Sequence, residues 1–308
     1  MSSPAFVQSR SATTGAPGSL AFNSPNVAGN FLVVFVVTTA GIAGNITCID
    51  TNNGNVYTPA FAQQDDGSLD RFRLFFLPNC KAGANTVQVA ATGAPFFRWV
   101  IAEYSGVALT SPQDGTSAIT LLQVSATPSS GNLATGSNND LLIGFGSNGT
   151  GPASVTAGTG FVMREQPSNA VFLEDNNSAN NTAGNYSASV TYPSSIVSDI
   201  GIVAFKLAVS SISGSAGVAG ATVSYSGPSS GSVTADGSGN FTIVGLANGS
   251  YTITPSAAGY TFSPPSQVVV VSGSNITGVN FTATSSGGGT STWMNIWHDF
   301  ANKRGLRG

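Results

Sequence analysis

The sequence predicts an all-β protein, and three observations carry this prediction. Charged residues make up 7% of the 308 residues, against roughly 25% in an average soluble protein, so the chain lacks the Glu, Lys and Arg that surface helices depend on. The chain contains 38 glycines, and Asn-Gly and Asp-Gly pairs typical of tight turns recur along it. Short apolar runs separate these turns, and no helical period appears in the first 200 residues.

Residues 1–208 are predicted to form one jelly-roll-like β-sandwich domain. Its apolar segments are separated by turns such as Asn52–Asn55 and Asp114-Gly115. Two segments are apolar on both faces, which is typical of central strands in packed sheets. The predicted strands are Phe31–Thr39, Asn45–Asp50, Arg71–Leu77, Thr86–Ala91, Phe96–Tyr104, Asp140–Gly146, Tyr186–Tyr192 and Ile200–Leu207.

Residues 1–208 also resemble lectin-like β-sandwich modules of bacterial and phage surface proteins. The resemblance rests on Gly29–Val34, Ala82–Val87 and Ala102–Val107, and in the second half of the zone on Asn139–Gly144 and Ala204–Lys206. Because these segments are structural, the resemblance implies a lectin-like sandwich and no specific ligand.

Residues 209–284 contain a single charged residue, Asp236, and are predicted to form a smaller Ig-like sandwich. Apolar and polar residues alternate in its strands, as at Phe241 and Ile243 and at Tyr251 and Ile253. The pattern resembles the carboxypeptidase regulatory-like (transthyretin-like) domain over its whole length, which implies a spacer or adhesion module, usually without catalysis. Asp236 matches the turn aspartate of that family, whose carboxylate accepts a hydrogen bond from the backbone two residues on.

Residues 285–292 are predicted to be a Gly/Ser linker and residues 293–308 a docking peptide, either a short amphipathic helix or an extended segment. A helix of this length is marginal alone in water, so we expect a preformed groove to receive its apolar side. Docking on another subunit is the favoured interpretation; folding back on the chain's own sandwich and lying on a membrane surface are the alternatives. The side chains predicted to dock are Trp293, Met294, Ile296, Trp297 and Phe300.

No catalytic, cofactor-binding or metal site is predicted. Gly144–Gly149 matches the G-x-G-x-x-G pattern of dinucleotide-binding turns, but turn residues follow it where a helix would have to begin. Gly227–Gly231 matches the G-x-S-x-G pattern of hydrolases, but the only histidine, His298, lies beyond the linker. We therefore expect turn residues to follow the strand at the first place and a hairpin loop at the second.

Acidic residues provide the remaining candidates for a site. Glu103 lies in an apolar strand, and with Glu165 or Glu174 it would supply the carboxylate pair of a glycosidase. A carboxylate at a strand end more often holds a nearby loop, and this is the interpretation we favour. The run Glu174–Asn177 offers oxygen ligands for calcium, but without the spacing of a known calcium loop a solvated turn is favoured.

The other polar residues are expected to be structural. Arg71 and Arg73 alternate on one strand face, and we expect them to pair with Asp65, Asp66 and Asp70. Cys48 and Cys80 have no metal-like spacing; the sequence leaves open whether they form a disulfide or remain two buried thiols.

Composition and charge exclude several classes of function. The net charge is −3 and the first 302 residues contain no basic cluster, which argues against nucleic-acid binding. A single histidine removes most imidazole-based hydrolase mechanisms. The most apolar run, Phe31–Val37, is too short to span a bilayer. No Sec-type export signal is visible in Met1–Ala12.

The leading hypothesis is therefore a non-enzymatic structural protein of a phage virion surface, a capsid decoration or fibre-like component. We expect the C-terminal peptide to bind other virion subunits and the sandwich to meet host-surface glycans by weak, multivalent contacts. Homo-oligomerisation is left open. The alternatives are a secreted bacterial adhesin or carbohydrate-binding protein and, less favoured, a jelly-roll glycan hydrolase.

Overall fold

The computed structural model of the chain describes residues 4–54, 57–68, 70–149, 154–166, 171–178 and 181–286. This described part consists of β-strands joined by turns and loops and contains no helix, which confirms the all-β prediction. The chain forms two compact units: the first unit is Met1–Ala208 and the second unit is Val209–Gly308. The helix expected after residue 292 lies outside the described residues.

In the first half of the first unit, the described residues form nine strands in two antiparallel sheets. A large sheet has the order β1-β9-β3-β7-β5, with β6 also paired to β7, and a three-stranded sheet has the order β2-β8-β4. The strands are β1 (Ala5–Gly15), β2 (Gly18–Ala21), β3 (Phe31–Thr39), β4 (Thr47–Asp50), β5 (Thr58–Pro59), β6 (Gln64–Asp65), β7 (Asp70–Leu77), β8 (Thr86–Ala90) and β9 (Phe96–Ser105).

The described residues of the second half of the first unit also form nine strands. Its large sheet has the order β10-β18-β12-β15-β14, and two short pairs, β11-β16 and β13-β17, accompany it. The predicted strand Tyr186–Tyr192 is therefore two short strands with a break between them. The strands are β10 (Gln113–Ser125), β11 (Leu133–Ala134), β12 (Leu141–Ser147), β13 (Thr156–Ala157), β14 (Val162–Glu165), β15 (Val171–Asn176), β16 (Asn185–Tyr186), β17 (Val190–Thr191) and β18 (Ile196–Phe205).

The two halves repeat the same topology. The large sheets have matching strand orders, and the pairs β11-β16 and β13-β17 stand where β2-β8-β4 stands in the first half. The register agrees as well. The pairing of β3 with β9 begins at Phe31 opposite Tyr104, and the equivalent pairing of β12 with β18 begins at Leu141 opposite Phe205. On this register Phe35 corresponds to Phe145. The rings of these two residues lie 4.9 Å apart, where the large sheets face each other.

The central core of the first unit lies between the two large sheets. Strand β3 shows why its sequence is continuously apolar: Phe31, Val33, Phe35 and Val37 enter the central core, and the residues between them enter a second core on the other face. Both faces of the strand are thus buried, as the apolar runs indicated. A second sequence-level pattern, alternation of apolar and polar residues, appears in the covering strand β8.

The outer cores lie between each large sheet and its cover. In the first half the three-stranded sheet packs over Leu32, Val34 and Trp99, and both cysteines belong to this cluster. In the second half, the short strand pairs cover two smaller clusters centred on Ile202 and Phe172. Each half is therefore a β-sandwich, and the two sandwiches share the central core.

The second unit is a smaller sandwich. One sheet has the order β21-β20-β23-β25, and the other contains the pairs β19-β22 and β24-β26. Backbone bonds from Val279 to Ser213 and from Phe281 to Ser215 connect these two pairs through the segment before β26. The strands are β19 (Ser210–Ser215), β20 (Thr222–Ser226), β21 (Gly231–Thr234), β22 (Asn240–Leu246), β23 (Gly249–Ser256), β24 (Tyr260–Ser263), β25 (Gln267–Val271) and β26 (Thr282–Ser285).

The core of the second unit follows the alternation seen in the sequence. Phe241 and Ile243 of β22 and Tyr251 and Ile253 of β23 are buried in one cluster. Asp236 holds the turn before β22, where its Oδ1 accepts hydrogen bonds from the backbone N–H groups of Ser238 at 2.8 Å and Asn240 at 2.9 Å. The predicted role of this aspartate is confirmed.

Candidate functional site

An open cleft of about 490 Å³ lies on the first half, where the turn before β2, the loop before β4 and the turn after β8 meet. The loop and the turn approach closely: Gly44 N donates to the Thr92 carbonyl at 3.3 Å. A Cβ on Gly44 would lie 2.5 Å from the Thr92 nitrogen, so only glycine fits this wall. The cleft is lined by Ala16, Pro17, Asn45, Thr47, Ala90, Ala91, Thr92 and Ala94.

The lining of the cleft is uncharged. Its polar side chains are the amide of Asn45 and the hydroxyls of Thr47 and Thr92, all of them exposed. The Thr47 hydroxyl donates to the Ala90 carbonyl at 3.1 Å, which leaves its lone pairs to accept from a ligand. The remaining lining consists of alanine and proline. Such a surface suits a neutral ligand that carries both hydroxyl groups and small apolar patches.

A smaller pocket of about 200 Å³ continues the cleft across the outer face of the three-stranded sheet. It shares Pro17, Thr47 and Ala90 with the cleft, and adds the hydroxyl of Ser19 and the amide of Gln88. The two spaces together form an elongated, neutral groove. The smaller pocket is lined by Pro17, Gly18, Ser19, Thr47, Ile49, Gln88, Val89 and Ala90.

Sequence reasoning did not identify the residues of the cleft. They are small, neutral residues from three separate turns, and no spacing or composition marks them as a group. Only folding places Ala16-Pro17 beside the turn at Thr92-Gly93.

Glu103 is a buried structural carboxylate. Its Oε1 accepts hydrogen bonds from Val27 N at 2.9 Å and Asn30 Nδ2 at 2.7 Å, and its Oε2 from Gln8 Nε2 at 2.6 Å and Asn26 Nδ2 at 2.8 Å. Its side chain thus ties the first strand and the loop before β3 to β9. The interpretation that this carboxylate holds a nearby loop is confirmed.

The two carboxylates suggested as partners of Glu103 have other contacts. Glu165 accepts hydrogen bonds from the hydroxyls of Ser9 at 2.8 Å and Ser11 at 2.7 Å. Glu174 is fully buried and accepts a bond from Gly158 N at 3.0 Å. Burial raises the pKa of Glu174 to about 8, and the neighbouring charge of Asp175 adds to the effect.

Glu174 and Asp175 do not form a joint calcium site. Alternation along β15 places them on opposite faces, and Asp175 forms a bidentate ion pair with Arg164, with N–O distances of 2.8 and 3.0 Å. Both are fully buried, so the expectation of a solvated turn is wrong for them. Among the described residues there is no cluster of three or more His, Cys, Asp or Glu that could hold a metal ion.

Two buried acids meet in the second half. Asp114 accepts hydrogen bonds from the backbone of Gly136 at 2.9 Å and of Ser137 at 2.7 Å, and it also contacts the carboxyl of Asp140. Burial raises the pKa of Asp140 to about 7, and the hydrogen bond with Asp114 and the negative charge of Asp114 add to the effect. Burial opposes ionisation of Asp114 too, but the hydrogen bonds outweigh it and lower its pKa. Asp140 is therefore the protonated donor of the pair at moderately acid pH.

A third polar cluster borders the central core. Asp70 pairs with Arg98 and accepts a hydrogen bond from the Ser147 hydroxyl at 2.6 Å. Asp199 accepts a bond from Leu122 N at 2.8 Å, and burial raises its pKa to about 7. The expected pairing of Asp70 with Arg71 or Arg73 is wrong, because Asp70 pairs with Arg98 instead.

The other arginines and the cysteines are also structural. Arg71 pairs with Asp65, as expected, whereas Arg73 donates to the Ile46 carbonyl at 3.3 Å. Cys48 and Cys80 are buried free thiols, which decides between the two alternatives left open by the sequence.

Comparison with known proteins identifies the second unit. Residues 208–284 match the family model of the carboxypeptidase regulatory-like domain. This segment is a carboxypeptidase regulatory-like domain. The match covers the range in which the alternating strands and the Asp236 turn resembled that family. It extends over a quarter of the chain and says nothing about the first unit.

The other comparisons add little. No curated protein matches the chain. Among solved structures, the chain is similar to the Bacillus anthracis TIE protein, with 8% sequence identity and a TM-score of 0.25. The alignment covers 89% of this chain and 40% of that protein, so the chain spans less than half of its length.

The two glycine-rich patterns are structural. Gly227–Gly231 connects β20 to β21 within the carboxypeptidase regulatory-like domain, and so forms the expected hairpin loop. Gly144 and Gly146 lie inside β12, where neighbouring groups fill the space that a Cβ would occupy. At Gly144 the nearest group is the Glu174 side chain, and at Gly146 the nearest groups are the Asp199 carbonyl oxygen and the ring of Phe172.

The predicted docking side chains Trp293, Met294, Ile296, Trp297 and Phe300 lie outside the described residues. Their docking stays a prediction. The part of the chain that the structure describes offers no helix that could span a membrane.

Proposed function

We propose that this chain is a non-enzymatic display protein whose first unit binds a neutral, hydroxyl-rich ligand of the saccharide class in the cleft. The observation that carries the proposal is the uncharged lining of the cleft, with the Asn45 amide and the Thr47 and Thr92 hydroxyls exposed among alanines. Amide and hydroxyl groups are the neutral donors and acceptors that a sugar hydroxyl requires.

The use of the charged side chains supports the same function. Glu103 holds a loop, Asp236 holds a turn, and Asp70 and Asp175 form ion pairs. The ionisable groups thus stabilise the scaffold, and the cleft presents neutral chemistry. The carboxypeptidase regulatory-like domain serves as a spacer in this proposal.

Binding in the cleft is expected to be weak at a single site. None of the described residues that line the cleft carries an aromatic ring, so these residues do not supply the stacking that strengthens many sugar complexes. A protein displayed in many copies gains avidity without further contacts, and this is how we expect the chain to act.

A glycan array tests the ligand class. The chain, displayed multivalently on beads, is expected to bind neutral glycans, and the double variant Asn45→Ala/Thr92→Val to bind them at least about tenfold more weakly. The matched control is Asn248→Ala/Thr254→Val, which makes the same changes at exposed positions of the second unit and should bind like the wild type. Equal binding by the cleft variant, or binding only to charged glycans, would refute the proposal.

We further propose that the place of display is a virion surface, with residues 293–308 attaching the chain to other subunits. Mass spectrometry of purified particles should find the full-length chain. A chain shortened by deletion of residues 286–308 should stay folded but be lost from the particles. Retention of the shortened chain would contradict attachment through the tail, and finding the chain only on bacterial surfaces would favour an adhesin instead.

A further inference from the structure

Strand β25 forms an exposed edge of the four-stranded sheet in the second unit. It pairs with β23 through five successive residue pairs, from Gly249–Val271 to Ile253–Gln267, without a bulge. In the described part of the chain β23 is its only strand partner, so the backbone groups on its other side are free to pair.

The composition of β25 does not protect this edge. The strand reads Gln-Val-Val-Val-Val and contains no charge and no proline. Val271 lies in the core, whereas Val268 and Val270 are 70% and 63% exposed on the outer face. Natural sheet edges usually carry a charge, a proline or a bulge that prevents pairing with another chain.

The large sheets of the first unit have these protecting features at every edge. Bulges interrupt β1, β10 and β14 where they pair with their neighbours, β5 contains Pro59, and β6 contains Asp65. The edge at β25 therefore differs from the edges of the same chain's larger sheets.

We propose that β25 pairs with β25 of a second copy of this chain, antiparallel and centred on Val269, so that the two four-stranded sheets become one continuous sheet. In this register Val268 of each copy lies opposite Val270 of the other, and four exposed valines are covered by one another.

A second copy fits this edge because the edge is complementary to itself. Two identical charged edges would repel each other, but the nearest outward residues on β23, Ser250 and Thr252, are as neutral as β25. The single charged residue of the domain, Asp236, lies in the turn before β22 and outside the sheet that contains β25. An edge five residues long is smaller than a typical stable interface, so we expect association that depends on concentration.

Charge-swap variants of the full-length chain test the pairing by sedimentation velocity. The wild type should self-associate as its concentration rises towards about 1 mM. Val268→Lys/Val270→Lys, which places lysines opposite each other, should weaken association at least about tenfold. A mixture of this variant with Val268→Glu/Val270→Glu should associate again. Val244→Lys, at a 71% exposed position on β22, is the control and should behave like the wild type.

Three results would overturn the proposal. One is a wild type that stays monomeric over this range, and another is a lysine variant that associates as well as the wild type. The third is association that disappears on deletion of residues 287–308 and is unaffected by the lysines, because the tail would then carry it. Because Val268 and Val270 are exposed, all variants should retain the wild-type melting temperature.

Discussion

Replacing Glu103 by glutamine is expected to destabilise the first unit by about 2–4 kcal/mol. The carboxylate accepts two hydrogen bonds on each oxygen, from Gln8 and Asn26 on one side and from Val27 and Asn30 on the other. In a glutamine, one of these oxygens becomes an NH₂ group that faces two donors. Hydrogen bonds to a charged group contribute about 1.5–3 kcal/mol each, and a buried donor left without an acceptor costs about 1–3 kcal/mol.

Chemical denaturation of the full-length chain measures this effect, with Glu165→Gln as the matched control. Glu165 accepts from the hydroxyls of Ser9 and Ser11, which can rotate to accept from the new amide. The free energy of unfolding of the control should therefore lie within about 0.5 kcal/mol of that of the wild type. A Glu103→Gln chain as stable as this control would show that the hydrogen bonds do not hold the loop.

Stability is expected to fall as the pH rises from about 5 to about 8, because three buried acids bind their protons more tightly in the folded chain. The pKa values of Asp140 and Asp199 are raised to about 7 and that of Glu174 to about 8, in each case first of all by burial. In the unfolded chain these groups lose their protons near pH 4. The folded state therefore holds extra protons between about pH 4 and 8, and stability decreases as the pH rises through that window.

Asp140→Asn tests this explanation at one residue. The register makes Asp140 the counterpart of Asn30, and Asp114 the counterpart of Gln8. In the first half the Asn30 amide donates a hydrogen bond to the carboxylate of Glu103. In the second half a protonated Asp140 donates a hydrogen bond to the carboxylate of Asp114. An asparagine keeps its donor at every pH, so the variant should be about 1–3 kcal/mol more stable than the wild type at pH 8 and similar at pH 5.

Melting temperatures measured from pH 5 to 8.5 test both the predicted fall in stability and the effect of Asp140→Asn. The control is Asp236→Asn, because Asp236 is exposed and hydrogen bonds from the backbone of Asn240 and Ser238 lower its pKa. The stability that this lowered pKa provides is already present at pH 5. The variant should therefore show the same change of melting temperature with pH as the wild type between pH 5 and 8. An Asp140→Asn chain whose slope equals that of the wild type would contradict the assignment.

The strands buried on both faces could be predicted from the sequence. Phe31–Thr39 agrees with β3 at both ends, and Phe96–Tyr104 differs from β9 by one residue. The long edge strands β1 and β10 were missed, because edge strands that bury little apolar surface are rich in Ser, Thr and Gln and resemble loops in sequence. The repeat was missed as well, because Val34 and Phe75 of the first half correspond to Gly144 and Glu174 of the second.

The sequence by itself determined the all-β class and the identity of the carboxypeptidase regulatory-like domain, because both depend on local patterns of alternating apolar and polar residues and of turn residues. Only the tertiary structure decided where the polar groups meet. Glu103, Asp140 and the residues of the cleft acquire their roles from partners that are distant along the chain. Burial and hydrogen bonding depend on distance in space, and no local pattern in the sequence contains that information.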